Sequence, residues 1–144
     1  EELGRRGTHI VHCPRSHAYF RHQAFPYEAL SACGANICLA TDSLASVTKA
    51  GRQPLELSLL EEMREFARRF PAVTPEEVLS MVTSNAARAL GATGKLGELS
   101  PGARADMIAL PADLRQNPFD TILQHQGPVT ASLIDGRWAV SPCN

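Results

Sequence analysis

The chain predicts an α/β fold whose parallel part comes first and whose tail is antiparallel β. Three observations predict it. Two short apolar runs, Thr8–His12 and Ala35–Ala40, flank a helical stretch. Two amphipathic helices follow. The last fifty residues then break repeatedly at glycine and proline and end in a hairpin signal. Two strands joined by a helix form a βαβ unit, which implies parallel pairing and a right-handed crossover.

Each element has its own reason. Residues 8–12 are rich in β-branched and apolar side chains. Residues 26–33 start at Pro26, which suits a first helical turn, and stop at Gly34, a C-terminal cap. Residues 35–40 read as a fully buried strand. In residues 55–70, Leu55, Leu59, Leu60, Met63, Phe66, Ala67 and Phe70 recur at helical spacing, while Glu61, Glu62, Glu65, Arg68 and Arg69 form a solvated face. The helix over 75–90 has Thr74 as N-cap, Pro75 at the first position, Glu77 to complete a capping box, and Gly91 as its stop. Gly94, Gly97, Pro101 and Gly102 then interrupt the chain, which places a module boundary near residue 93 and divides it into 1–93 and 94–144. Residues 106–110 and 129–134 read as strands. Asp135-Gly136, between apolar runs, is a strong two-residue hairpin signal leading into Arg137–Val140.

Bulk properties exclude several function classes. A chain of 144 residues suffices for a real core, and its 44% hydrophobic and 20% charged content is ordinary for a globular protein. A formal net charge of −1 argues against a nucleic-acid or membrane-surface partner. No apolar run approaches a membrane span, and no signal-peptide pattern opens the chain. Cys13, Cys33, Cys38 and Cys143 contain no C-x-x-C pair, so they read as reduced thiols of a cytoplasmic protein. The chain lacks an initiator Met, which points to a processed or truncated start.

The chemistry concentrates where the two strands end. Asp42 stands at the first exposed step after the buried strand, in Ala40-Thr41-Asp42-Ser43-Leu44-Ala45-Ser46. Parallel α/β enzymes place catalytic or metal-binding groups at such C-terminal strand ends. The earlier strand ends in His12, and Arg15 and His17 follow in a loop expected to face the same pocket. Arg15 there could take a substrate carboxylate or phosphate bidentately. His12 could line the mouth or support the loop. His9 and His12 have H-x-x-H spacing, but odd separations on a strand point to opposite faces, which argues against a shared ion. His22 and His125 read as loop residues, and Glu61 and Glu62 as solvated.

Four stretches together resemble the amidohydrolase superfamily, in the branch of guanine deaminase, adenosine-type deaminases and triazine chlorohydrolases. They are Val11-His12-Cys13-Pro14-Arg15-Ser16-His17, Thr41-Asp42-Ser43-Leu44-Ala45-Ser46, Thr83–Gly91 and Leu96–Asp106. The resemblance implies the C-terminal portion of a (β/α)8 TIM-type barrel, with strands seven and eight and their helices, plus part of a small β-sandwich domain. It implies hydrolysis of a C–N bond, foremost deamination of an aromatic amine or amidine, by water activated on one divalent metal, zinc ahead of iron. Asp42 matches the strand-eight acid, both metal ligand and proton acceptor. Ser43 and Ser46 match residues that contact substrate or brace that acid. Val47 and His17 depart from the family, which often has Asn at both places.

The family's H-x-H ligand pair is absent from this sequence. A catalytic zinc site needs about three protein ligands, so the remaining ligands are expected before Glu1. The chain therefore reads as a fragment of a larger enzyme, inactive alone and open to homodimerisation, whose parent acts on a small molecule. Amide or aryl-halide hydrolysis is the alternative within the enzyme class. A non-catalytic α/β binding module or a split-barrel subunit is the alternative outside it.

Overall fold

A computed structural model describes residues 2–48, 55–113 and 115–142. A short helix α1 (Glu2–Arg5) leads into β1 (His9–His12), α2 (Pro14–Tyr19), α3 (Tyr27–Ala32) and β2 (Asn36–Leu39). After a 3-10 turn at Leu44–Ser46 come α4 (Leu59–Arg69), α5 (Pro75–Val82) and α6 (Ser84–Ala89). The remainder is β3 (Met107–Ala109), α7 (Pro118–Gln124), β4 (Ala131–Ile134) and β5 (Arg137–Val140). Among the described residues, no helix is long and apolar enough to cross a membrane. Cys143, one of the four thiols, lies outside the described residues.

The expected parallel pair is present. β1 and β2 run parallel, with His9 opposite Asn36 and His12 opposite Leu39, so both strands end at the same edge. All four residues of β2 are buried, whereas β1 alternates and exposes Val11. The core lies on one side of this pair, where Ile37 and Leu39 of β2 meet Met63 and Phe66 of α4 and Val78 and Met81 of α5. Phe66 is wholly buried, with its ring 4.8 Å from that of Phe70 and 5.3 Å from that of Tyr27.

The helices differ from expectation in ways that local chemistry explains. The helix expected over 55–70 begins at Leu59, because the Ser58 hydroxyl accepts the Glu61 amide and caps it there. The helix expected over 75–90 is two helices. Thr83 leaves helical geometry (φ −121°, ψ −95°), while its hydroxyl donates back to the Leu79 carbonyl at 2.7 Å. Gly97 closes against this break: a Cβ there would stand 2.5 Å from the Thr83 carbonyl oxygen, and its φ of +74° already favours glycine. The expected capping box holds, with the Thr74 amide on Glu77 Oε2 at 2.8 Å and the Glu77 amide on Thr74 Oγ1 at 3.3 Å.

The Thr83–Gly91 motif acts as a clamp on the start of β2. Asn85 Nδ2 donates to the Ile37 carbonyl at 3.0 Å, and Asn36 Nδ2 donates to the Asn85 carbonyl at 2.9 Å. Asn36 Nδ2 also meets His9 Nδ1 at 2.9 Å, and Arg88 bonds both Asn36 Oδ1 and Asn85 Oδ1. Asn36 is 8% exposed, so these partners satisfy a side chain that would otherwise be a buried cost.

The tail is the expected antiparallel sheet, in the order β3-β4-β5. Asp135 and Gly136 have φ of 53° and 75°, the paired positive values of a type I′ hairpin. Asp106 receives the Asp135 amide, and the Gly136 amide donates to the Ala105 carbonyl at 3.0 Å. Between β3 and β4 the unforeseen α7 packs against α4 and α5. Its signals were in the sequence: Asn117 caps it through the Phe119 amide, and Pro118 occupies its first turn.

Candidate active site at the shared strand edge

Asp42 lies three residues beyond β2 and is exposed. Its Oδ2 accepts two hydroxyls: Ser46 Oγ at 2.8 Å and Ser16 Oγ at 2.9 Å. Among the described residues, no hydrogen bond reaches Oδ1. The two hydroxyls, Ser46 foremost, hold the Asp42 carboxyl below its ordinary range. The result is a carboxylate with one braced oxygen and one open oxygen.

Local structure explains the brace. The 3-10 turn at Leu44–Ser46 folds the chain back so that Ser46 Oγ also lies 3.3 Å from the Ser43 amide and 3.0 Å from the Ser43 carbonyl oxygen. Ser46 is 2% exposed and faces Asp42, while the Ser43 side chain is exposed. Ser16 comes from the other strand's side. Residues 14–19, expected as a loop, form α2, since Pro14 has φ preset for a first turn. The structure therefore unites Asp42 and Ser46 with Ser16, a residue that sequence reasoning passed over. Ser16 sits inside the quoted motif, but only the helix shows that it points to Asp42.

The histidines and Arg15 occupy the flank. His12 is 5% exposed, its ring stacked on Phe25 at 3.9 Å and edge-on to His17 at 5.0 Å. Burial, then the neighbouring His17 and Arg69, lower its pKa to about 4, so the ring is neutral near pH 7. Its Nε2 is buried without a partner among the described residues. His17 Nε2 lies 2.7 Å from the Gln23 carbonyl, and the His22 ring sits beside it at 5.3 Å. His9, at the other end of β1, is held by Asn36, so the H-x-x-H pair is split as expected. Arg15 Nη1 donates to the Glu56 carbonyl at 3.3 Å. His125, as expected, sits in a loop against the Gly127 and Pro128 carbonyls.

Glu62 corrects the sequence reading. Expected on a solvated face, it is 1% exposed. Its Oε2 accepts the Arg15 amide at 2.8 Å, and burial raises its pKa despite that bond and the nearby Arg15 charge. Spacing puts Glu62 only at the edge of the apolar stripe, four residues before Phe66, and its contact with the Arg15 amide of α2 accompanies its burial.

The described residues contain no group of three His, Cys, Asp or Glu side chains able to hold a metal ion. Asp42 Oδ1, which no hydrogen bond among the described residues reaches, is an open carboxylate oxygen at this edge. A complete site would need donors from outside the described residues.

Comparison with known proteins bears on the family of the chain. The family model described as "Amidohydrolase family" matches residues 1–139. A 5-methylthioadenosine/S-adenosylhomocysteine deaminase of Syntrophobacter fumaroxidans is 38% identical over 117 residues, covering 76% of this chain and 25% of its own length. A 5'-deoxyadenosine deaminase of Methanoregula boonei is 40% identical over 114 residues, covering 74% of this chain and 24% of its own. The crystal structure of an adenosine deaminase from Xanthomonas campestris, with bound zinc, superposes with a TM-score of 0.82 at 24% identity. That superposition covers 96% of this chain and 33% of the other, and is a likeness of fold. The chain thus spans about a quarter of the curated relatives' length. With a family match running across nearly every residue, including both strand ends and the clamp motif, the chain belongs to the amidohydrolase family.

Proposed function

We propose that this chain supplies the closing part of a metal-dependent hydrolase that deaminates an adenine-type nucleoside. The observation that carries the reading is Asp42, with Oδ2 fixed by two hydroxyls and Oδ1 open at the shared strand edge. In this reading β1 and β2 are the last two strands of a (β/α)8 barrel. Residues 1–93 belong to that barrel and residues 94–144 to a small β-sandwich domain. The purine substrate class is drawn from the names of the relatives and fits the aromatic-amine chemistry expected from the sequence.

Asp42 would give one carboxylate oxygen to a divalent ion, zinc ahead of iron, with the other ligands contributed from outside these residues. The chemistry such an ion supplies is a water activated near neutral pH. This chain's residues orient and accept. Ser46 and Ser16 favour the ionised carboxylate and limit its rotation, so that Asp42 would orient the attacking water and accept its proton. Neutral His12, buried on Phe25, would back His17, whose part-exposed ring is a surface on which an aromatic base could rest. Arg15 and Ser43, which follow the two strand ends in the sequence, would be further substrate contacts. The described residues by themselves do not complete the centre, so the segment alone is expected to be inactive.

The test is deamination of adenosine-type nucleosides by the full-length protein, measured as ammonia released. Asp42→Asn should lower the rate by at least about a hundredfold, the range of a positioned acid–base group. Unchanged turnover in Asp42→Asn would overturn the assignment.

A further inference from the structure

Among the described residues, Glu62 stands out as a buried carboxylate with an oxygen, Oε1, that no hydrogen bond reaches. It sits in the stripe of Met63 and Phe66, where an apolar side chain would pack at no desolvation cost. The Arg15 guanidinium offsets that cost only in part: it is 4.0 Å from Oε1, a long ion pair, and donates to the Glu56 carbonyl. What Glu62 does make is one hydrogen bond, Oε2 to the Arg15 amide at 2.8 Å, bridging α4 to α2.

That bond falls where α2 needs it. Helix α2 has six residues, and Cys13 gives it no side-chain cap. Pro14 has no N–H, so Arg15 carries the first free amide of the helix. Ser16 is the next residue, 8% exposed, with its hydroxyl 2.9 Å from Asp42 Oδ2.

We propose that Glu62 is a positioning residue for Asp42: it pins the first turn of α2 through the Arg15 amide and thereby sets the Ser16 hydroxyl on the carboxylate. This rests on Asp42 being the reacting carboxylate. Burial holds the Glu62 pKa up while the Arg15 amide pulls it down, consistent with an acceptor kept for that one donor.

The experiment uses the full-length enzyme with Glu62→Met, Glu62→Gln, Ser16→Ala and the Glu62→Met/Ser16→Ala double variant. Methionine fills the same volume without an acceptor, and glutamine keeps one. Ser16→Ala and Glu62→Met should each lower kcat about tenfold, the loss of one hydrogen bond to a charged group, with KM within about twofold. The double variant should be no slower than the worse single variant, because both act through one contact. Glu62→Gln should recover kcat to within about threefold of the parent. Amide exchange of the segment at Arg15 should quicken at least about tenfold in Glu62→Met and stay near the parent rate in Glu62→Gln and Ser16→Ala.

Additive losses in the double variant would overturn the proposal, as would unchanged exchange at Arg15 in Glu62→Met. So would Glu62→Gln being as slow as Glu62→Met. Undiminished turnover in Asp42→Asn would instead fault the reading of the site, while the exchange result would still report whether Glu62 pins α2.

Discussion

Protonating His12 should destabilise this protein, and the pH interval over which it does so follows from the structure. The ring is 5% exposed, lies flat on Phe25, and has Arg69 and His17 as its charged neighbours. Its pKa falls from 6.5 to about 4 on folding. Above pH 6.5 the ring is neutral in both states and its burial is unopposed. As pH falls below 6.5 the unfolded chain takes up a proton that the folded chain refuses, so stability drops until about pH 4 and then levels. That interval sets a ceiling of about 3 kcal/mol. At about pH 5, about one and a half pH units into that interval, roughly 2 kcal/mol is the expected loss. The assay is urea unfolding at about pH 7.5 and about pH 5, for the parent and for His12→Phe, which keeps the ring stack. The difference between the two proteins cancels the carboxylates, of which Glu65 and Glu77, with lowered pKa, also lose stability in acid, while Glu62, with raised pKa, moves the opposite way. A parent and variant that lose equal stability over this range would refute the reasoning.

Other outcomes follow from the same geometry. Ser46→Ala should return the Asp42 carboxyl towards its ordinary pKa, and by more than Ser16→Ala, since Ser46 is the larger cause of its lowering; NMR titration of that carboxyl in metal-free protein checks the order. Asn36→Leu should cost about 2–3 kcal/mol by urea unfolding, because Arg88 and the Asn85 carbonyl lose their partner in a buried setting. Gly97→Ala should cost more than about 1 kcal/mol in the same assay, since its Cβ would collide with the Thr83 carbonyl at a positive φ.

Much of this molecule was legible in its sequence. The two strand ends, the Thr74 capping box and the Asp135-Gly136 hairpin are local devices, each depending on residues within a few positions of one another. The acid at the end of β2 was legible for the same reason: a strand with four buried residues must surface where polarity begins, and Asp42 stands there. Helix bounds were less legible. Ser58 and Thr83 decide them through hydrogen bonds that compete with helix continuation, and spacing alone does not reveal which competitor wins.

The amino-acid order by itself thus determined a βαβ start, an antiparallel finish and a carboxylate at the strand edge, because periodicity and turn chemistry act over short range. Only the tertiary structure decided what that carboxylate meets. Ser16 and Asp42 are 26 residues apart and Arg15 and Glu62 are 47 apart. Parallel pairing of β1 with β2 and the packing of α4 under α2 bring them together, and a buried glutamate among apolar neighbours reads as surface until those contacts exist.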